Sequence, residues 1–193
     1  MTTKPWTVLA TETLLQNPWF AVLGRAVELP DGRQIDFQSV EFHRPAVGVI
    51  PRRGGEILLI RQYRLTVDRF VWAIPSGGID EGETAESAAR RELLEEAALV
   101  AGTMRPLVVY HPSYGATNQT FEVFLADGAR PSATALDHNE VIETRWFAQA
   151  EVLRMLLHNE IVDGLSATPL AMLFLEEELA RRGDELRLKG RID

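Results

Sequence analysis

The sequence contains no cysteine, which excludes disulfide frameworks, a thiol nucleophile and thiolate metal sites. It is also short of positive charge: 20 lysines and arginines against 28 aspartates and glutamates leave a net charge of −8. That balance argues against general affinity for nucleic acid, which needs a basic footprint to displace counterions from phosphate. A small anionic ligand stays open wherever a local arginine cluster or a bound cation supplies the positive field. No apolar stretch approaches the ~20 residues of a spanning helix. The start, Met1-Thr2-Thr3-Lys4-Pro5-Trp6, has neither the charged beginning nor the apolar core of a signal peptide. No membrane partner and a cytoplasmic location are therefore expected. Internal repeats and low-complexity tracts are missing as well.

What is present is ordinary for a folded protein: 193 residues, 46% hydrophobic and 25% charged. That is one compact domain, with room for a small appended segment. Residues 6–43 alternate apolar and polar positions, and Pro30-Asp31-Gly32 separates the runs 21–29 and 34–42, which predicts strands and a hairpin. The β-rich runs 46–50 and 56–60 flank Pro51-Arg52-Arg53-Gly54-Gly55 and predict neighbouring core strands. A further short strand is expected over 70–75, ended by Pro75 and Gly77-Gly78. From Thr84 to Ala98 the period changes: Ala88, Ala89, Leu93 and Ala97 form one helical stripe. Strands are then expected over 105–110, 120–125 and 141–147, and helices over about 149–158 and 167–182, the last closed by Gly183. Strands followed by a helix, more strands and terminal helices predict an α/β sandwich.

The first of these helices is unusually acidic. Glu92 and Glu96 are four residues apart and share a face, with Glu95 at its edge. Like charges at this spacing destabilise an isolated helix by roughly a few tenths of a kcal/mol. A divalent cation is the obvious offset, because carboxylate oxygens are the hard ligands that Mg²⁺ and Mn²⁺ prefer. A solvated acidic face is the alternative reading of the same spacing. Arg91 stands four residues before Glu95 and can fix its rotamer.

The full string, Gly77 to Val100, reads GGIDEGETAESAARRELLEEAALV. It resembles the Nudix box: Gly, five residues, Glu, seven residues, then Arg-Glu-apolar-x-Glu-Glu-x-Gly-apolar. Gly77, Glu83, Arg91, Glu92, Leu93, Glu95, Glu96 and Leu99 stand at the required positions. Ala98 departs from the pattern, standing where the final glycine is usual, so a somewhat different helix exit is expected. The resemblance implies a Nudix-type α/β/α sandwich with a mixed β-sheet, over residues 41–193, preceded by a small N-terminal antiparallel β segment at 1–40. It implies hydrolysis of a nucleoside diphosphate linked to another moiety, by a water activated by Mg²⁺, with Mn²⁺ as a substitute. Carried over by position, Glu92, Glu96 and Glu95 would hold the metal together with the Ser76 carbonyl. Arg91 would orient Glu95, Glu83 would support the loop, and Gly77 and Gly78 would let the backbone bend around the site.

Outside the box, Arg61-Gln62-Tyr63-Arg64 and Trp72-Ala73-Ile74-Pro75-Ser76-Gly77 resemble the ADP-ribose and nucleoside-diphosphate-sugar pyrophosphatases. In that likeness Arg61 and Arg64 are phosphate or ribose contacts, each with a structural ion pair as the other reading. Ala73 stands where the group usually has a glutamate. In His111-Pro112-Ser113-Tyr114-Gly115, Tyr114 replaces the second proline of a Pro-Ser-Pro-Gly loop, and it is a candidate for stacking on a base or sugar. The late acidic loop offers Glu140 as a catalytic residue, and His138, Glu140 and the box glutamates all stay open as the base. Similar enzymes use an N-terminal segment to dimerise and lend an aromatic residue, so a homodimer is expected, with Trp19 and Phe20 as stacking candidates. The main expectation is cleavage of ADP-ribose or a related nucleoside diphosphate sugar into a nucleoside monophosphate and a sugar phosphate. GDP-mannose, a dinucleotide or a damaged nucleotide are alternative substrates, and a non-catalytic ADP-ribose sensor is the alternative outside enzymology.

Overall fold

The computed structural model describes residues 5–133 and 141–183. The chain packs into two units, residues 1–45 with 111–120, and residues 46–110 with 121–193.

In the first unit, β1 (Thr7–Gln16), β2 (Phe20–Glu28) and β3 (Gln34–Phe42) form an antiparallel sheet in that order. The Pro30-Asp31-Gly32 turn closes it as the sequence predicts. Gly32 takes a φ of +87°, which a side chain would resist, and the Leu29 N–H donates to the Arg33 carbonyl at 2.8 Å. The loop 111–120 extends this unit from far along the chain. The Val40 N–H donates to the Ala116 carbonyl at 2.9 Å. The Asn118 side chain accepts from the Phe42 N–H at 2.8 Å and donates to the Phe42 carbonyl at 3.2 Å.

The second unit is built on β4 (Ala46–Arg53), β5 (Glu56–Arg64), β9 (Thr103–Tyr110), β10 (Phe121–Asp127) and β12 (Glu143–Ala148), in the order β12-β5-β4-β10-β9. The short strands β6 (Arg69–Ala73) and β7 (Ser76–Gly78) pair with β5 and β4 respectively. The sheet is mixed, because β10 runs parallel to β4 and antiparallel to β9. Alternate residues of the central strands face opposite ways. Val47, Val49, Leu58, Ile60, Phe124 and Ala126 pack with Ala88, Ala89, Leu93 and Ala97 of α1 (Ala85–Ala97). Ile50, Ile57, Leu59, Val123 and Leu125 pack with Val152 and Met155 of α2 (Gln149–Leu157) and with Leu165, Leu170 and Leu173 of α3 (Gly164–Arg182). Helices thus cover both faces, giving the expected α/β/α sandwich.

Several details differ from the sequence reading. Gly77-Gly78 does not simply end a strand: it lies within β7, paired with β4 through Gly77↔Val47 and Gly78↔Ala46. The two-residue strands β8 (Leu99–Val100) and β11 (Arg130–Pro131) pair with each other, and two residues carry no readable period. Ala98, expected to leave the helix differently from a glycine, nonetheless takes the left-handed conformation at φ 51°, ψ 39°.

Candidate active site

The alternation of β5 decides which of its polar residues reach the site. Leu58 and Ile60 face α1, and the next residue of that row is Gln62, only 3% exposed, whose Nε2 donates to Glu96 Oε1 at 2.9 Å. Arg64 continues the row and lines the same cleft. Arg61 and Tyr63 belong to the opposite row, although Tyr63 still forms part of the cleft wall. The Arg61 guanidinium lies 3.6 Å from Glu143 Oε2 and over the rings of Phe70 and Trp72, at 5.4 and 6.0 Å. The structure thus separates the two arginines: Arg64 is at the cleft, and Arg61 holds an ion pair outside its walls.

α1 presents the carboxylates. Thr84 caps it reciprocally with Ser87: the Ser87 N–H donates to Thr84 Oγ1 and the Thr84 N–H donates to Ser87 Oγ. With the alanine and leucine stripe fixed against the sheet, Glu92 and Glu96 are drawn in beside it, 8% and 6% exposed. Glu95, at the edge, keeps its side chain 55% exposed. Arg91 spreads over four acceptors. It donates to Glu83, to Glu92 Oε1 at 2.6 Å, to Glu95 Oε2 at 3.1 Å and to the Gly78 carbonyl at 2.9 Å. Its planar fork suits such division. Arg91 thus bonds Glu95, the partner expected from the sequence, and Glu92 as well.

The strand before the box supplies the floor. The Ser76 N–H donates to Glu96 Oε2 at 2.6 Å. Gly77 passes so close to α1 that a Cβ there would lie 2.0 Å from Glu92 Oε1. Gly78 meets no such neighbour, since a Cβ there finds nothing within 4 Å. Ser76, Gly77, Arg64 and the three glutamates line one cleft of about 540 Å³, with Gln62 and Ile142 among its other walls. Burial pushes the Glu96 carboxyl up to about 7, against the Ser76 amide, which favours the charged form; Glu92 adds to the rise, while Arg64 and Gln62 oppose it. The Arg91 guanidinium holds Glu83 below the usual carboxylate range.

This donor set, carboxylates beside backbone on a cleft wall, has the chemistry of a hard divalent cation site. Among the described residues, no three acidic or histidine side chains stand together as a ready-made cation cluster. Arg91 engages Glu92 and Glu95, while Ser76 and Gln62 engage Glu96. Glu140 and His138 lie outside the described residues. Trp19 and Tyr114 belong to the first unit, 73% and 86% exposed. Phe20 in the same unit packs on Phe42 at 6.0 Å. Ala73 is buried in the core between the sheet and α1. Sequence reasoning passed over Gln62, and counting by twos along β5 from Leu58 is the signal that finds it.

Residues 42–165 match the NUDIX domain family. The chain belongs to the NUDIX family. Residues 6–37 of this NUDIX protein also match the nucleoside diphosphate sugar hydrolase N-terminal domain. An ADP-ribose pyrophosphatase of Mycobacterium tuberculosis is 33% identical over 162 residues, covering 82% of this chain and 78% of that protein. An ADP-ribose pyrophosphatase of Bacillus subtilis is 30% identical, covering 89% and 94%. A crystal structure of an ADP compounds hydrolase shares the fold with a TM-score of 0.83 at 22% identity, over 95% of this chain and 99% of that one. The expectation of an enzyme in the Nudix pyrophosphohydrolase class stands with this membership.

Proposed function

We propose that this NUDIX protein hydrolyses the diphosphate bond of ADP-ribose or a related nucleoside diphosphate sugar, releasing a nucleoside monophosphate and a sugar phosphate. The observation that carries the reading is one cleft in which Glu92, Glu95 and Glu96 meet Ser76, Gly77 and Arg64. Glu92 and Glu96, with Glu95 and the Ser76 carbonyl, are the residues that would hold Mg²⁺ or Mn²⁺. Such a cation neutralises diphosphate charge and lowers the pKa of an attacking water. Arg64 supplies the positive field by which an acidic chain binds an anionic substrate. Arg91 must yield part of its hold on Glu92 when these carboxylates turn to a cation, while its grip on Glu83 and Gly78 keeps the loop in place. Glu140 remains the proposed late acidic residue.

The relatives named for ADP-ribose support that substrate. A second reading, another ADP compound, is favoured by the buried Ala73 and by Tyr114, both departures from the ADP-ribose group. An ADP compounds hydrolase of Escherichia coli, 28% identical and covering 91% of this chain and 92% of that protein, points the same way. A homodimer is also proposed, because β1 is an edge strand exposed along its whole length, with Val8, Leu9, Leu14 and Leu15 about half exposed.

The test is hydrolysis of a panel of nucleoside diphosphate sugars and dinucleotides, with Mg²⁺ and with EDTA, read by phosphate release after added phosphatase. Turnover concentrated on ADP-ribose and abolished by EDTA is the expected result. Preference for a different ADP compound selects the second reading. Tight binding of ADP-ribose without turnover of any panel member overturns both in favour of a sensor.

A further inference from the structure

Ser166 is a fully buried polar residue, 0% exposed on α3, that the chemistry above does not use. Its surroundings give it a task. β6 stays paired with β5 as far as Ala73↔Ile60, and β7 joins β4 at Ser76↔Gly48. Between them the backbone changes partner strand through Ile74 and Pro75. A crossover of this kind leaves amides that neither ladder serves, and buried ones must be paired. Pro75 has no N–H, and its carbonyl accepts from the Val49 N–H at 3.0 Å. Two donors remain. The Ile74 N–H donates to Ser166 Oγ at 3.0 Å, and the Ser76 N–H donates to Glu96 Oε2.

The Ser166 hydroxyl is itself oriented. It donates to Asp163 Oδ2 at 2.9 Å, so its lone pairs are turned to the Ile74 amide. Asp163 is the N-cap of α3, and its carbonyl receives the Ser166 and Ala167 amides at 3.1 and 2.8 Å. The first turn of α3 therefore grips one end of the Ile74–Ser76 crossover while a box glutamate receives the other.

We propose that Ser166, oriented by Asp163, is a positioning residue for the active site: it fixes the Ile74–Ser76 crossover so that the Ser76 amide meets Glu96. The role rests on the hydrolase reading above. Groups that orient metal-binding side chains typically change metal affinity or activity about 10- to 100-fold when removed, and Ser166 acts one backbone step further out.

The test compares wild type, Ser166→Ala and Ser166→Thr, each held well below its unfolding temperature. Three quantities are read: the Ser76 amide resonance of the metal-free ¹⁵N-labelled protein, Mn²⁺ affinity by calorimetry, and kcat with KM. In Ser166→Ala the Ser76 amide proton moves upfield, Mn²⁺ binds about tenfold more weakly and kcat falls by a similar factor with KM unchanged. Ser166→Thr, which keeps the hydroxyl, restores all three. A Ser166→Ala protein with a lower Tm but an unmoved Ser76 resonance and wild-type Mn²⁺ affinity overturns the proposal. If that variant does not fold, Asp163→Asn carries the same comparison, since it keeps the hydroxyl and changes only what orients it. Should wild type turn over no panel substrate, the hydrolase reading fails, and the resonance and the Mn²⁺ titration still decide what Ser166 does.

Discussion

At the scale of single residues, Glu96 carries the sharpest conflict, a carboxylate 6% exposed whose charged form is opposed by burial. Its folded-state value, about 7, lies above the ordinary 4.5. The stability it contributes to the metal-free protein is therefore fully present below about pH 4.5 and lost as the pH rises through 7. By linkage the loss amounts to about 3 kcal/mol. Glu96→Gln removes that slope, so in EDTA the variant unfolds at a higher temperature than wild type at pH 8, while most turnover disappears. Denaturant titrations from pH 4 to 8, beside activity assays, check both halves. Gly77 gives a second prediction. Because a Cβ there would overlap the Glu92 carboxylate, Gly77→Ala loses about 10- to 100-fold in activity, with circular dichroism unchanged. Gly78→Ala, meeting open space, keeps the wild-type Tm. The box glutamates were legible in the sequence because helix geometry fixes how residues three and four apart project. Arg61 and Arg64 looked equivalent there, since both precede a recognised motif. Only the strand's alternation separates them, and the last core residue that anchors the count is Ile60.

At the scale of elements, the body of α1 was readable, because its apolar stripe and its acidic face obey one period. Its exit was not. Ala98 sits in the left-handed region, which costs an alanine about 1–2 kcal/mol relative to glycine. Ala98→Gly is expected to stabilise the protein by about 1 kcal/mol, a rise of roughly 2–4 °C in Tm for a chain of this size, with activity retained. A scanning calorimetry trace with no rise would contradict it. The long strands were legible by alternation and by the turn residues between them. β7, β8 and β11 were not, since two or three residues hold no period and form through what their neighbours offer. The helix α3 begins at Gly164 rather than near 167: Asp163, a usual N-cap residue, marks the start, although its carboxylate takes the Ser166 hydroxyl and no backbone amide.

At the scale of the whole molecule, the sandwich followed from the order of elements, whereas the company kept by the loop 111–120 did not. Nothing in a linear reading links Asn118 to Phe42, 76 residues away. The exposed edge strand β1 leads to the proposed homodimer, and sedimentation equilibrium at micromolar concentration is expected to give twice the 21.6 kDa chain mass. Charged substitutions at Val8 and Leu15 are expected to shift that equilibrium toward the monomer, and a wild-type monomer counts against the idea. The loop has a different consequence. Because its residues pack with β3 while the strands on either side of it pack elsewhere, the unit boundary is crossed at 45/46, 110/111 and 120/121. A protease that cuts once after Pro45 would split the polypeptide on a denaturing gel yet leave the fragment zipped, through Val40 and Phe42, to a piece of chain it no longer shares a backbone with.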